Sequence, residues 1–283
     1  MLFVDAHVHI HECFELEAVM QAAYANFRGA ASRWGMEECF TAVLLLADPL
    51  NTNAFARLKE MTKNKESPGG TAVSWHLLPT GENCSLFVAH NGGGRVFVIA
   101  GRQISTREGL EVLALATGER FEHGAPLVEV LHAVREAGGI PVVPWGAGKW
   151  TGTRRKVLES LLEASQEPFF LGDNGGRPSM LPRSRLFKRA ERKKIRVLPG
   201  SDPLPLPSEV GRSGAFGFCI EGTLSLDKPA GDLKRILLDP SGCLRPYGRL
   251  MRPHRFLRNQ AALWIARRRR IVCDDTVRRL FVG

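Results

Sequence analysis

Short apolar runs alternate with amphipathic segments along most of this chain, and that alternation limits the fold more than any other feature. Residues 2–5 form a short apolar run that ends in polar groups. Residues 40–47 are almost continuously apolar, as expected for a strand buried on both faces. Residues 15–34 place Leu16, Val19, Met20 and Ala23 on one helical face, and 53–63 also read as a helix. Residues 72–117 then read as several strands, broken at Pro79-Thr80-Gly81 and at Asn91-Gly92-Gly93-Gly94. The strand–helix alternation resumes beyond them. Helices are expected at 126–137, at 153–165 with Thr151 or Thr153 as cap, and at 182–194, where the segment is very basic. Strands are expected at 140–144, 168–172 and 195–198. Strands joined by helices imply a parallel sheet with helical crossovers, so the expected fold class is an α/β barrel-type domain over residues 1–240. Residues 241–283 read as a basic extension docked on it, with a helix at about 254–269.

Composition narrows the setting. A chain of 283 residues can bury a large core, and 44% hydrophobic with 24% charged residues is ordinary for a globular protein. No apolar run reaches the roughly 18 residues that span a bilayer. The opening MLFVDAHVHIHECFE lacks the basic start and apolar stretch of a signal peptide. The six cysteines are scattered with no C-x-x-C pair, which argues against a disulfide framework or a zinc ribbon. They read as reduced thiols, and the expected location is cytoplasmic. Charge is uneven. Residues 1–150 hold 12 Lys/Arg against 16 Asp/Glu, whereas residues 151–283 hold 27 against 13. The C-terminal half therefore suits an anionic partner: nucleic acid, an anionic surface or a phosphorylated substrate. A plain solvated basic face explains it as well.

The residues most suggestive of chemistry are in Val4-Asp5-Ala6-His7-Val8-His9-Ile10-His11. Side chains alternate across a strand, so His7 and His9 point the same way. Two imidazoles at that spacing can grip one metal ion where a strand ends. His11 has the same spacing but falls beyond the strand.

This start resembles that of the PHP (polymerase and histidinol phosphatase) family of metal-dependent phosphoesterases. Later segments resemble that family in order: AVLLLADPLNTNAF at 42–55, VIAGRQISTREGLEVLALA at 98–116, GGIPVVP at 138–144, residues 169–178, and VLPGSDPL at 197–204. The resemblance implies a distorted (β/α)7 TIM-like barrel of the PHP type, here with a β-hairpin-rich insertion and a basic helical C-terminal tail. It also implies a ligand set, and the chain departs from that set. Asp48-Pro49 stands near the T-D-H histidine, Gln103 replaces a glutamate, and Glu111 replaces a histidine. Pro144-Trp145 replaces a His-Pro pair, and Leu204 replaces the last histidine. His7, His9 and Asp202 match position by position. The implied site holds one divalent ion (zinc, manganese or iron) rather than three, on His7, His9 and Asp202, leaving a fourth position for water. Glu111 and Asp173 are the next carboxylates expected at the same metal. Asp202 is also expected to accept a proton. The competing readings are a turn residue for Asp202 in G-S-D-P, and solvated or capping carboxylates for the other two.

Arg102, Arg177 and Arg212 fall on expected loops at strand ends and suit phosphate recognition, although each could be an ordinary surface arginine. Gly146-Ala147-Gly148-Lys149-Trp150 fails the Walker pattern, which excludes a P-loop NTPase. Two functions follow. One is a metal-dependent hydrolase, a phosphoesterase using metal-bound hydroxide. The other is a degenerate PHP-like barrel that binds a ligand, nucleic acid or protein without turnover.

Overall fold

In β1 (Leu2–Val8) every residue is buried, because apolar layers cover both faces of the strand. The computed structural model describes residues 1–37, 39–63 and 75–280. The side chains of Arg267 and of residues 269–280 also lie outside this description. After β1 come α1 (Leu16–Ser32), β2 (Thr41–Leu46), α2 (Ala54–Lys63), and a run of strands without helices. That run is β3 (Trp75–Pro79), β4 (Ser85–His90), β5 (Arg95–Ile99), β6 (Gly101–Ser105) and β7 (Glu111–Leu115). Residues 72–74 of the expected strand region lie outside the described residues. Alternation returns with α3 (Leu127–Glu136), β8 (Ile140–Pro144), α4 (Gly152–Ala164), β9 (Phe170–Asn174), α5 (Arg185–Arg192) and β10 (Val197–Gly200). A 3-10 turn at Pro207–Arg212 leads to β11 (Phe216–Ile220), α6 (Pro229–Leu238), β12 (Arg245–Gly248) and α7 (Pro253–Leu280).

The strands form two mixed sheets, ordered β12-β11-β1-β2-β5-β4-β3 and β10-β9-β8-β7-β6. This corrects the expected (β/α)7 TIM-like barrel. Such a barrel needs every strand parallel to its neighbours, each pair linked by a helical crossover. Here β3 to β7 follow one another without helices and pair antiparallel, β4 with β5 and β6 with β7. On the other flank, β11 runs antiparallel to β1. Parallel pairing survives only within β1-β2-β5 and β8-β9-β10. β12 pairs with β11, so residues 245–248 are part of the larger sheet.

Three apolar layers hold this arrangement. Phe3, Met20, Phe27 and Leu44 pack the larger sheet against α1 and α2. Leu2, Val4, Leu45 and Phe218 face Leu113, Val142 and Leu198 of the other sheet, with Leu233 and Leu237 of α6 beneath. Val112, Val143 and Leu171 of the smaller sheet pack on α3, α4 and α5. Alternation along β1 sends Phe3 to the first layer and its neighbours Leu2 and Val4 to the second. Among the described residues no helix is long and apolar enough to cross a membrane.

Where the sheets meet, single bonds replace a ladder. Asp202 N–H donates to His7 O at 2.8 Å, and Asp48 N–H donates to Gly101 O at 3.0 Å. Glycine permits both approaches. A Cβ on Gly200 would collide with the His7 backbone, and one on Gly101 with Leu46 O. The fully buried Asp5 carboxylate closes the first junction. It accepts the Ser201 N–H and the Gly214 N–H, each at 2.8 Å, and the His7 N–H at 3.2 Å. Burial pushes its pKa up to about 6, against the pull of those three donors. Asp5→Asn sets an amide N–H against one of these donors. It is expected to destabilise the fold by about 1–3 kcal/mol in urea unfolding followed by circular dichroism. An unchanged midpoint would contradict this role.

Candidate metal centre

The end of β1 aims two imidazoles at one point. The β1–β2 pairing slips between Asp5 and Val8, yet both rings stay on the same side. His7 Nε2 and His9 Nε2 are 3.0 Å apart, and both residues are buried. Asp202 arrives from the chain after β10. Its backbone is left-handed, φ 46°, a conformation that aspartate tolerates better than most residues. That turn brings Asp202 Oδ1 to 3.2 Å from His9 Nε2 and 3.6 Å from His7 Nε2. Oδ2 accepts from Asn174 Nδ2 at the end of β9. Asn174 is itself fixed, its Oδ1 accepting the Gly176 N–H at 2.6 Å.

These spacings fit one ion. A tetrahedral site with bonds near 2.0–2.1 Å places its donor atoms about 3.3 Å apart. The three observed separations bracket that value. His7, His9 and Asp202 are the group among the described residues able to share a metal. The electrostatics agree. Burial opposes charge on Asp202, but His7, His9 and the Asn174 amide more than offset it and hold its carboxyl well below the usual range. Burial also pulls both histidines down. At His9 the hydrogen bond and charge of Asp202 overcome that pull and raise its pKa, while His7 remains lowered.

The other expected ligands do not join this group. Asp173 forms a buried two-pronged ion pair with Arg177, both contacts at 3.1 Å. That pair also commits Arg177, so neither residue is free for the metal or a phosphate. Glu111 pairs with Lys149 at 3.1 Å, although its charge is felt at His7. Arg212 is buried beside Glu209, on the far side of Ser201. His11 is turned away to Pro203 O at 2.8 Å. Asp48, near the family's T-D-H position, instead accepts the Phe55 N–H at the start of α2. Its burial raises its pKa. Arg102 does face open space. It donates to Thr52 O and Asn53 Oδ1 and borders a cavity of about 340 Å³. Asp48, Gln103, Arg120 and His123 also line this cavity. Sequence reasoning missed Asn174, Arg120 and His123. Only Asn174 had a signal, as the asparagine that ends the strand in the fourth PHP-like segment.

The molecule is thus a two-sheet α/β protein with a His-His-Asp cluster, its histidines buried, at the junction of its sheets. Its fold is similar to that of PsfC from Pseudomonas syringae PB-5123, with a TM-score of 0.52 and 16% identity over 87% of this chain and 90% of that one. It is also similar to Endonuclease Q in complex with a 27-mer duplex substrate carrying an abasic lesion at the active site, with a TM-score of 0.50 and 14% identity. The lesion-specific endonuclease PfuEndoQ from Pyrococcus furiosus gives a TM-score of 0.50 and 13% identity. The chain covers 59% and 57% of these two endonuclease chains. At such identities the likeness is one of fold. No protein-family model and no curated protein matches the chain.

Asn174→Ala frees Asp202 to rotate and is expected to weaken zinc binding about 10–100-fold in chelator competition. An unchanged affinity would contradict the orienting role of Asn174.

Proposed function

We propose that this chain is a metal-dependent hydrolase of phosphoesters, using one divalent ion held by His7, His9 and Asp202. The observation that carries the reading is the convergence of three donor atoms, two of them on buried histidines and the third on the half-buried Asp202, at spacings suited to a single ion. When bound, zinc, manganese or iron would supply Lewis acidity toward a phosphoryl oxygen and acidify water. On this reading the chain is a divergent relative of the PHP family, keeping His7, His9 and Asp202 and carrying other residues at the remaining ligand positions. The endonuclease neighbours support a phosphodiester as substrate, since one of them is described with a duplex at its active site.

The chain's own groups divide the remaining work. Asp202 serves as a ligand. Its Oδ2 is occupied by the Asn174 amide, which leaves it poorly placed to accept a proton. Glu111, a carboxylate outside the trio whose charge reaches His7, is held by Lys149 at 3.1 Å. Arg102 and Arg120, lining the neighbouring cavity, would hold the anion. The replaced ligands at Gln103, Trp145 and Leu204 favour the alternative, a binding module without turnover.

The test is hydrolysis of bis(p-nitrophenyl) phosphate and of an oligonucleotide. Protein stripped by chelator is reloaded with each ion in turn. The hydrolase reading expects turnover that follows the ion and vanishes in the His7→Ala/His9→Ala variant. A fully loaded protein inert on both substrates would leave the binding-module reading.

A further inference from the structure

A second concave surface, outside the metal centre, is dominated by arginine. A cavity of about 450 Å³ lies between α1 and the connection from β12 to α7, and Arg33, Arg212, Arg249, Arg252 and Arg255 line it. His254 adds a further nitrogen side chain. One carboxylate stands behind them. Glu209 is fully buried, takes Arg255 Nη2 at 3.2 Å and Asn259 Nδ2 at 2.9 Å, and lies 3.7 Å from Arg212 Nε. Five guanidiniums against one carboxylate leave a surplus of about four positive charges in a small space. Arg33, Arg249 and Arg252 are exposed and have no carboxylate partner among the described residues. Arg212 is 8% exposed, and its Nε has no hydrogen-bond partner.

We propose that this cavity seats a backbone phosphate of a nucleic-acid strand whose neighbouring phosphodiester is presented to the metal centre. The inference rests on the phosphoester reading for the direction of the strand, but not for binding itself. Position favours a strand over a lipid surface. Phe216 opposite Gly248 begins β11, which is antiparallel to β1, so the cavity rim lies at the end of β1 that carries His7. Met251 N–H donates to Gly175 O at 3.0 Å, one residue beyond Asn174. Arg212 Nη2 reaches Ser201 O at 3.4 Å, and Ser201 precedes Asp202. One continuous edge therefore joins the arginines to the metal centre. A concave cavity suits a single phosphate held by guanidinium forks better than a flat bilayer does. Such contacts fix the position of a strand without reading its sequence.

The test is binding without turnover. Anisotropy of a labelled oligonucleotide of about 20 nucleotides is followed with chelator present and over a range of salt. Three proteins are compared: the full chain, Arg249→Ala/Arg252→Ala and a charge-matched control on α4, Arg155→Ala/Lys156→Ala, whose residues line neither the arginine cavity nor the metal trio. Circular dichroism melts show whether each is folded. The arginine variant should bind at least about tenfold more weakly, and its salt slope should fall by roughly 2. The Arg155→Ala/Lys156→Ala control should bind like the parent. Equal affinity of parent and arginine variant would overturn the proposal. So would affinity for phosphatidylserine vesicles or inorganic phosphate with none for the oligonucleotide. Loss of turnover in the His7→Ala/His9→Ala variant bears on the hydrolase reading alone.

Discussion

The buried Asp5 carboxylate is the joint on which the rest depends. Three backbone N–H groups from three places in the chain converge on it: its own strand, the end of β10 and the loop before β11. Burying a carboxylate costs several kcal/mol unless such donors meet it. Once met, they fix β10 and β11 against β1 to within a hydrogen bond's tolerance. Gly200 lets the β10 backbone lie against His7, and the next residues carry Asp202 over the two imidazoles. The His7, His9 and Asp202 side chains are therefore brought together by a polar bond network below them, not by the strand ladder. The two sheets have no ladder between them at this point.

Charge arrangement follows from the same burial. Three ionisable groups within 3.6 Å of one another cannot titrate independently. Asp202 is stabilised as an anion by its two histidines and Asn174, and His9 keeps its proton more readily than His7. The Asp173–Arg177 pair lies close by but is self-contained, which keeps a second carboxylate from competing for the ion.

His7 and His9 were legible from strand alternation, whereas Asp202 was reached through the match of residues 197–204 to the PHP family. The strands at 140–144 and helices such as 127–136 were legible for the same periodic reason. The closed barrel was a misreading of strand direction. Apolar runs show that strands exist, but parallel or antiparallel pairing depends on what links them, and β3 to β7 have turns where helices were needed. β11 and α6 went unread, although Phe216–Ile220 is a short apolar run of the kind that marks a buried strand. Asp173 looked like a ligand because its pairing with Arg177, four residues away, depends on a turn that the sequence does not display. Asp5 looked like the polar end of an apolar run. Its partners are 196 and 209 residues away, beyond any local pattern.

The most direct test of the central claim is X-ray absorption spectroscopy of the protein loaded with one equivalent of zinc. Two imidazole nitrogens and one or two oxygens at about 2.0–2.1 Å are predicted. One imidazole should be lost in a His9→Ala variant. A first shell of oxygens alone, or a spectrum unchanged by that substitution, would contradict a metal centre built on His7, His9 and Asp202.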